Sequence, residues 1–201
     1  MGVLERRERE KTALRQDILS AARELFANEG YESVSMRKIA EKLEYSPTTI
    51  YLYFRDKQEV VQEICRETFL LLTQRLNAVL LEPGDPVDRL KSGMRAYISF
   101  GLEHPDHYRV SLMMPCKEGS PTDGFEHTEG AEAFRCLTRS VAECVQAGRI
   151  RNPDVMAVSQ SLWVSIHGLV SLQITHGQHF PWIERERLID MTIGAAVQGF
   201  A

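Results

Sequence analysis

The 201-residue sequence lacks the motifs that mark most enzymes and metal proteins. It has no Gly-rich phosphate loop, no HExxH-type spacing and no set of nucleophile, base and orienting residues. Its four cysteines form no CxxC pair, and Cys136 and Cys144 would lie about 12 Å apart along one helix, too far for a disulfide. We therefore expect free thiols in a reducing compartment, no cofactor, no metal site and no enzymatic activity.

Long apolar runs and a strong charge of either sign are also missing. The charged first ten residues show no signal peptide, and we see no apolar run that approaches the ~20 residues needed to span a membrane. The net charge is −4, and residues 1–60 hold 11 basic and 11 acidic side chains, so the excess acid lies in the remainder. We expect a cytoplasmic protein that does not coat nucleic acid nonspecifically.

Apolar residues recur at helical spacing along most of the sequence, and no segment alternates as a strand does. The pattern predicts an all-α fold of about nine helices, and residues 115–126 form its one long loop, a possible lid. Residues 1–11 are interpreted either as a frayed, solvated start or as a basic arm beside a DNA site. The predicted helices cover residues 12–29, two short segments within 35–54, and then 57–81, 87–104, 106–114, 127–147, 153–176 and 183–199.

Residues 35–57 predict two short helices joined by a tight turn at Glu44-Tyr45. Ser35 is the expected cap of the first, and Ser46 caps the second, with Pro47 at its first position. The second helix has only Ile50 and Phe54 as strong apolar anchors, and its other side bears hydroxyl groups. Such a narrow helix suits a DNA major groove, where small side chains approach base edges and phenols and cations reach phosphates. The hydroxyl-bearing residues are Thr48, Thr49, Tyr51 and Tyr53.

This stretch resembles the DNA-binding domain of the TetR family of bacterial transcription regulators. The resemblance begins near Ile18 and is carried by residues 36–40, residues 46–54 and Lys57. It implies an N-terminal three-helix helix-turn-helix domain that binds double-stranded DNA. The resemblance implies that Ser46 is a DNA contact and that Pro47 and Thr48 face bases. Contacts to the DNA backbone are implied for Thr49, Tyr51 and Tyr53. Lys57 and Arg37 are expected to reach phosphates, and Arg37 could instead touch a base.

Glu44 departs from the family pattern, because the family usually has a small residue, often glycine, in this turn. We therefore expect the turn to be strained or shifted. The long helix after Lys57 is predicted to join the DNA-binding domain, residues 1–57, to the rest of the chain without a flexible linker. Residues 58–201 are then a helical effector-binding and dimerisation domain.

Residues 163–169 are similar to the Trp…His-Gly signature of one TetR subgroup, and residues 103–108 are similar to its junction. The resemblance implies ligand binding and dimerisation, with no ligand named. His167 is interpreted either as a core histidine bonded to a backbone carbonyl or as an effector contact. His104 and His107 are interpreted as solvated or helix-end histidines. Together with Glu103 they could instead be metal ligands, but Pro105 interrupts their helical spacing. Candidate pocket residues, which could equally be core, are Tyr97, Phe100, Tyr108, Met113, Trp163 and His167.

The helix at 153–176 is apolar on more than one side, so it must be buried either in its own core or against a second subunit. Paired with a twofold copy, the last two helices would form a four-helix bundle, which predicts a homodimer; the alternative is that they complete the core of one monomer. Two copies of the short reading helix would then bind a pseudo-palindromic operator. The sequence therefore predicts a transcriptional repressor released from its operator by an unidentified small-molecule effector. The alternatives are a helical ligand carrier or enzyme that does not bind DNA specifically, and an activator or effector-independent DNA-binding protein.

Overall fold

The computed structural model describes residues 2–114, 128–177 and 179–201, without the side chains of residues 3 and 4. These residues form nine α-helices and one π-helical turn and contain no strand, so the predicted all-α fold is confirmed. The predicted loop at 115–126 lies outside the described residues. The helices are α1 (Val3–Glu29), α2 (Met36–Lys42), α3 (Pro47–Tyr51), α4 (Lys57–Leu80), α5 (Pro86–Glu103), α6 (Pro105–Tyr108), α7 (Glu129–Gln146), α8 (Val155–His176) and α9 (Arg185–Gln198), with the π-helical turn at Arg109–Met113.

The described residues divide into two compact units, and the division falls inside α4 between Thr68 and Phe69. The first unit takes α1 to α3, the start of α4, and α6 with the π-helical turn. The second takes the rest of α4 together with α5, α7, α8 and α9. The change of unit thus occurs within an unbroken helix, further along the chain than the expected boundary after Lys57.

The first unit is built around one apolar core. Ile18, Leu19 and Phe26 of α1 are buried there, and Ile39 of α2 and Ile50 of α3 pack into the same cluster. The predicted helix start at residue 12 is wrong, because α1 begins at Val3, and the side chains of residues 5–13 are exposed. α1 ends at a glycine with positive φ, Gly30 at 79°, whose N–H donates to the Phe26 carbonyl oxygen at 3.0 Å.

The second unit is a helical bundle in which α8 packs against α5, α7 and α9. α8 contains no Asp, Glu, Lys or Arg, and by length and composition alone it could cross a membrane. The expectation that no apolar run approaches that length is therefore wrong. Core helices pass the same test, and α8 buries Val158, Leu162 and Ile166 within the bundle. Packing against three neighbours accounts for these buried side chains, whereas Val164 and Leu172 of the same helix remain exposed.

Candidate functional site

The α2–turn–α3 segment is set by local capping bonds. The Ser35 hydroxyl oxygen accepts from the Lys38 N–H at 3.2 Å, and that of Ser46 accepts from the Thr49 N–H at 3.2 Å. Pro47 occupies the first helical position of α3, as the sequence predicts. Both caps satisfy backbone donors that a helix this short leaves free, so the segment keeps its shape with few buried residues.

Glu44 lies in the turn with φ at 59°, and it is the one non-glycine residue with positive φ in the described part of the chain. The Tyr45 N–H donates across it to the Ala40 carbonyl oxygen at 3.0 Å, which closes the turn. An L-residue in this left-handed conformation costs about 1–2 kcal/mol relative to a right-handed one. The positive φ of Glu44 agrees with the expected strain in the turn.

The exposed side of α3 is narrower than the sequence predicts. Ile50 and Phe54 are buried anchors, whereas Tyr51 is 55% exposed and Thr48 is also exposed. Thr49 is half-buried, with its hydroxyl 2.9 Å from that of Ser46. Tyr53, also half-buried, packs against the first core. We define the α3 surface as the exposed residues at this edge, Ser46, Pro47, Thr48 and Tyr51.

The cations around the α3 surface are neutralised by neighbouring carboxylates. Arg37 Nε lies 2.9 Å from Glu41 one turn along α2, and Arg55 Nε lies 3.3 Å from Asp56. Backbone and side-chain hydrogen bonds, led by the Glu59 N–H, lower the pKa of Asp56 below its ordinary value. The surface is therefore nearly neutral, and a phosphate would have to replace a carboxylate partner. The four ion pairs are Arg37 with Glu41, Lys38 with Glu29, Lys42 with Glu24 and Arg55 with Asp56.

Lys57 is held by backbone groups. Its ammonium donates to the carbonyl oxygens of Tyr31 at 2.9 Å and Val34 at 3.2 Å and lies 4.1 Å from the centre of the Tyr31 ring. An ammonium has three donors, so one remains for another partner. The residue expected at a phosphate thus also fastens the start of α4 to the segment between α1 and α2.

The second unit encloses a cavity of about 400 Å³ between α4, α5, α7 and α8. Its described wall is apolar, apart from a few hydroxyl, amide, indole and thiol groups, and it carries no charged side chain. Such a volume lies toward the small end of known small-molecule sites, about 300–1,000 Å³. The lining residues include Phe69, Leu76, Met94, Tyr97, Phe134, Cys136, Ser140, Gln160 and Trp163.

The structure brings only part of the predicted pocket set to this cavity. Tyr97 and Trp163 line it. Phe100 is buried against the His104 ring, with centroids 5.0 Å apart, and is not part of the described wall. Two further candidates belong to the first unit: Tyr108, which is fully buried, and Met113 in the π-helical turn.

His167 lies beside the cavity in a network of side chains. The Trp163 indole N–H donates to the Tyr97 oxygen at 3.1 Å, and that oxygen lies 3.4 Å from His167 Nδ1. His167 Nε2 lies 3.3 Å from the Ser171 hydroxyl. Burial lowers the pKa of His167, which favours the neutral ring. The histidine therefore positions the hydroxyl of Tyr97, which is itself on the wall.

The other candidate ligating groups have protein partners. The Glu103 carboxylate accepts from Arg75 at 2.9 Å, the His104 ring packs on Phe100, and His107 Nδ1 lies 2.8 Å from the Thr68 hydroxyl. Among the described residues no group of three or more His, Cys, Asp or Glu side chains could hold a metal ion. Cys116 lies outside the described residues. Cys65, Cys136 and Cys144 are free thiols, and burial raises the pKa of Cys144 to about 11.

Sequence reasoning missed most of the cavity wall, including Phe69, Phe134 and Ser140. These residues have the same helical spacing as ordinary core residues, and only packing decides which of them face a void. One signal was available: Ser140 interrupts the apolar side of α7 formed by Ala133, Cys136 and Val141. A polar residue on an otherwise apolar face calls for a partner.

Comparison of the chain with known proteins identifies related families and similar folds. Residues 18–64 match the profile of bacterial regulatory proteins of the tetR family, and residues 90–196 match the tetracyclin repressor-like C-terminal domain. An uncharacterized HTH-type transcriptional regulator of Haemophilus influenzae is 36% identical over 66 residues, which cover 33% of this chain and 35% of that protein. This relative is thus matched over about a third of its length.

Two longer matches extend the comparison. The HTH-type transcriptional repressor KstR2 of Mycolicibacterium smegmatis is 24% identical over 160 residues, covering 76% of this chain and 77% of that protein. A TetR family transcription regulator from Marinobacter aquaeolei VT8 superimposes with a TM-score of 0.79 at 19% identity, covering 97% of this chain and 98% of the other. At 19% identity, the superposition shows only that the two proteins share a fold.

Proposed function

The chain belongs to the TetR family of bacterial transcriptional regulators, and from that premise we propose that it is a cytoplasmic, homodimeric repressor that a small-molecule effector releases from DNA. Residues 1–57 are the proposed DNA-binding domain and residues 58–201 the effector-binding and dimerisation domain. The observation that carries the proposal is the exposed α3 surface standing on two buried anchors, Ile50 and Phe54.

The proposed DNA contacts follow from exposure and chemistry. Pro47 and Thr48, at the exposed start of α3 with Ser46, face base edges, where a methyl or hydroxyl group can discriminate. The Tyr51 phenol reaches the DNA backbone, as do Thr49 and Tyr53 through their partly exposed hydroxyl groups. Arg37 and Lys57 bind phosphates, Arg37 after leaving Glu41 and Lys57 through its remaining donor.

The proposed dimer uses the exposed apolar side chains of α8 and α9. On α8, Val164, which also lines the cavity, is 66% exposed and Leu172 is 48% exposed, and Met191 of α9 is 56% exposed. A Cβ added to Gly168 or Gly194 would meet no described atom within 4 Å, so both glycines leave room for a partner helix. Uncovered apolar side chains on two neighbouring helices support a self-complementary interface between two copies.

The cavity of the second unit is the proposed effector site. Its wall includes Phe69, Leu72, Leu76 and Leu80 of α4, the helix that begins at Lys57 in the first unit. An effector that fills the cavity would shift the part of α4 that lines it, and the unbroken helix would carry that shift toward the DNA-binding domain. A coupling of about 1–3 kcal/mol between the two sites suffices for a usable switch.

A mobility-shift titration against DNA upstream of the protein's own gene tests the proposal. We expect a specific shift by wild type, and Thr48→Ala should weaken it at particular base pairs, whereas Tyr51→Phe should weaken it evenly across sequences. Thr138→Ala, on α7 of the second unit, is the matched control and should bind as wild type does. A protein that shifts specific and scrambled DNA equally would instead be the helical carrier or enzyme.

A further inference from the structure

The hydroxyl of Ser140 on α7 differs from those of three serines on α8. Ser159, Ser161 and Ser165 each donate to the carbonyl oxygen four residues earlier, at 2.7, 2.9 and 3.0 Å. Ser140 is only 6% exposed and lines the cavity, and the described residues provide no hydrogen-bond partner for its hydroxyl. The hydroxyl is thus left to whatever occupies the cavity, where a polar group of a ligand can take the place of water as its partner.

The remaining polar groups of the wall are already engaged or hydrated. The indole N–H of Trp163 is used by the Tyr97 oxygen. Gln160 is exposed, which keeps its amide in contact with solvent. Cys136, one turn before Ser140 on α7, directs its thiol to the side-chain oxygen of Asn77 at 3.6 Å, and burial raises its pKa, which keeps it neutral. Ser140 is therefore the buried polar group of the described wall that a ligand can satisfy.

We propose that Ser140 anchors a neutral, largely apolar ligand through a single hydroxyl or carbonyl oxygen. The inference rests on the effector cavity of the proposed function and names the chemical class that the cavity selects. The described wall offers no cation, so an ionised carboxylate would lose its hydration without an opposite charge. An alcohol, ketone, ester or lactone loses far less hydration free energy on entering the cavity, and a hydrogen bond to Ser140 replaces its lost bond to water.

A matched pair of probes tests the class. Octan-1-ol and octanoate have chains of equal length and differ in charge. Titrations of the protein, followed by tryptophan fluorescence, to which Trp163 on the cavity wall and Trp182 both contribute, and by calorimetry, should give at least tenfold tighter binding of octan-1-ol. Octanoate binding as tight as that of the alcohol, or no saturable binding of the alcohol, would overturn the proposal.

Two variants separate the anchor from the cavity as a whole. Ser140→Ala should weaken octan-1-ol binding five- to tenfold, because the hydrogen bond from the hydroxyl is removed. Ser159→Ala removes an equally buried hydroxyl that bonds to its own helix, and it should bind octan-1-ol within twofold of wild type. Equal affinities of Ser140→Ala and wild type for octan-1-ol would refute the role of Ser140.

The DNA-binding assay keeps this inference distinct from the proposed switch. Octan-1-ol could bind in a Ser140-dependent way and leave operator affinity unchanged. That result would support the proposed ligand class and refute the proposal that such a ligand controls DNA binding. If operator binding responds to a carboxylate and not to the alcohol, the switch stands and the ligand class is wrong. Thermal unfolding of each variant without ligand verifies that the substitutions leave the fold intact.

Discussion

The Lys57 ammonium donates to the carbonyl oxygen of Tyr31 at 2.9 Å and lies 4.1 Å from the centre of the same residue's ring. Lys57, in the first turn of α4, thus contacts both the backbone and the side chain of Tyr31, which lies between α1 and α2. The family resemblance assigns Lys57 to a phosphate, whereas the structure gives it a part in the fold of the first unit. The two roles have separate signatures.

Replacement of Lys57 tests both roles. Lys57→Ala removes two charge-assisted bonds and the ring contact, so we expect a loss of about 1–2 kcal/mol in unfolding free energy by urea denaturation. If the remaining donor also meets a phosphate, the salt dependence of operator affinity should fall by about 0.9 in log–log slope. Lys42→Ala, which removes a surface pair with Glu24, should cost less than about 1 kcal/mol. An unchanged slope with reduced stability would assign Lys57 to the fold alone.

Glu44 is strained in a way that a single substitution relieves. Glu44→Gly removes the steric cost of the left-handed conformation at φ 59° and adds backbone entropy to the unfolded chain. We expect a net gain of about 0.5–1 kcal/mol, or about 1–4 °C in Tm by calorimetry. Glu44→Val, branched at Cβ, should instead destabilise the protein by about 1 kcal/mol. A lower Tm for the glycine variant would contradict this account of the turn.

The ion pairs around the α3 surface predict that removing an acid strengthens DNA binding. Glu41→Gln frees Arg37 and removes a negative charge that a phosphate would meet, so we expect operator affinity to rise up to about fivefold, roughly 1 kcal/mol, at low salt. The gain should shrink as salt is raised, because the pair is exposed. Glu132→Gln, which breaks the comparable pair with Arg135 on α7, is the control. Equal gains from both variants would point to net charge alone.

The exposed apolar side chains of α8 predict which substitution dissociates the proposed dimer. Val164→Glu places a carboxylate on each side of the proposed twofold interface, so dissociation should shift by several orders of magnitude and operator affinity should fall with it. Sedimentation velocity at micromolar concentrations measures the mass. Leu81→Glu alters a side chain that is 76% exposed just after α4, and it should remain dimeric. A dimeric Val164→Glu variant would place the interface elsewhere.

Glu63 links the stability of the first unit to acid pH. Hydrogen bonds from Arg66 and then Arg15 lower its pKa from 4.5 to about 2. A lowered folded-state pKa means that Glu63 stabilises the protein fully above pH 4.5 and loses this effect as pH falls toward 2. Glu63→Gln should therefore be less stable than wild type at pH 7 and should converge with it near pH 2. Parallel curves of unfolding free energy against pH would contradict the linkage.

Much of the local structure around the α3 surface was predictable because its causes are local. Ser35 and Ser46 cap the helices that they precede, and Asp56 accepts from the Glu59 N–H at 2.9 Å as the spacing predicts. Each bond joins residues three positions apart, so residue type and spacing suffice. The same locality explains the strain at Glu44, where a side chain occupies a position that favours glycine.

By itself, the sequence determined the all-α architecture, the positions of most helix ends and the exposed start of α3, since these depend on periodicity and on caps within one turn. Only the tertiary structure decided that Lys57 would bind the carbonyl oxygens of Tyr31 and Val34, and that Ser140 would face a cavity while Phe100 and Tyr108 would be packed in core. Helical spacing places a residue on a face of its own helix, and the neighbours that meet that face come from segments distant in sequence. Whether they close over the residue or leave a void depends on how several helices pack together, which no single stretch of sequence encodes.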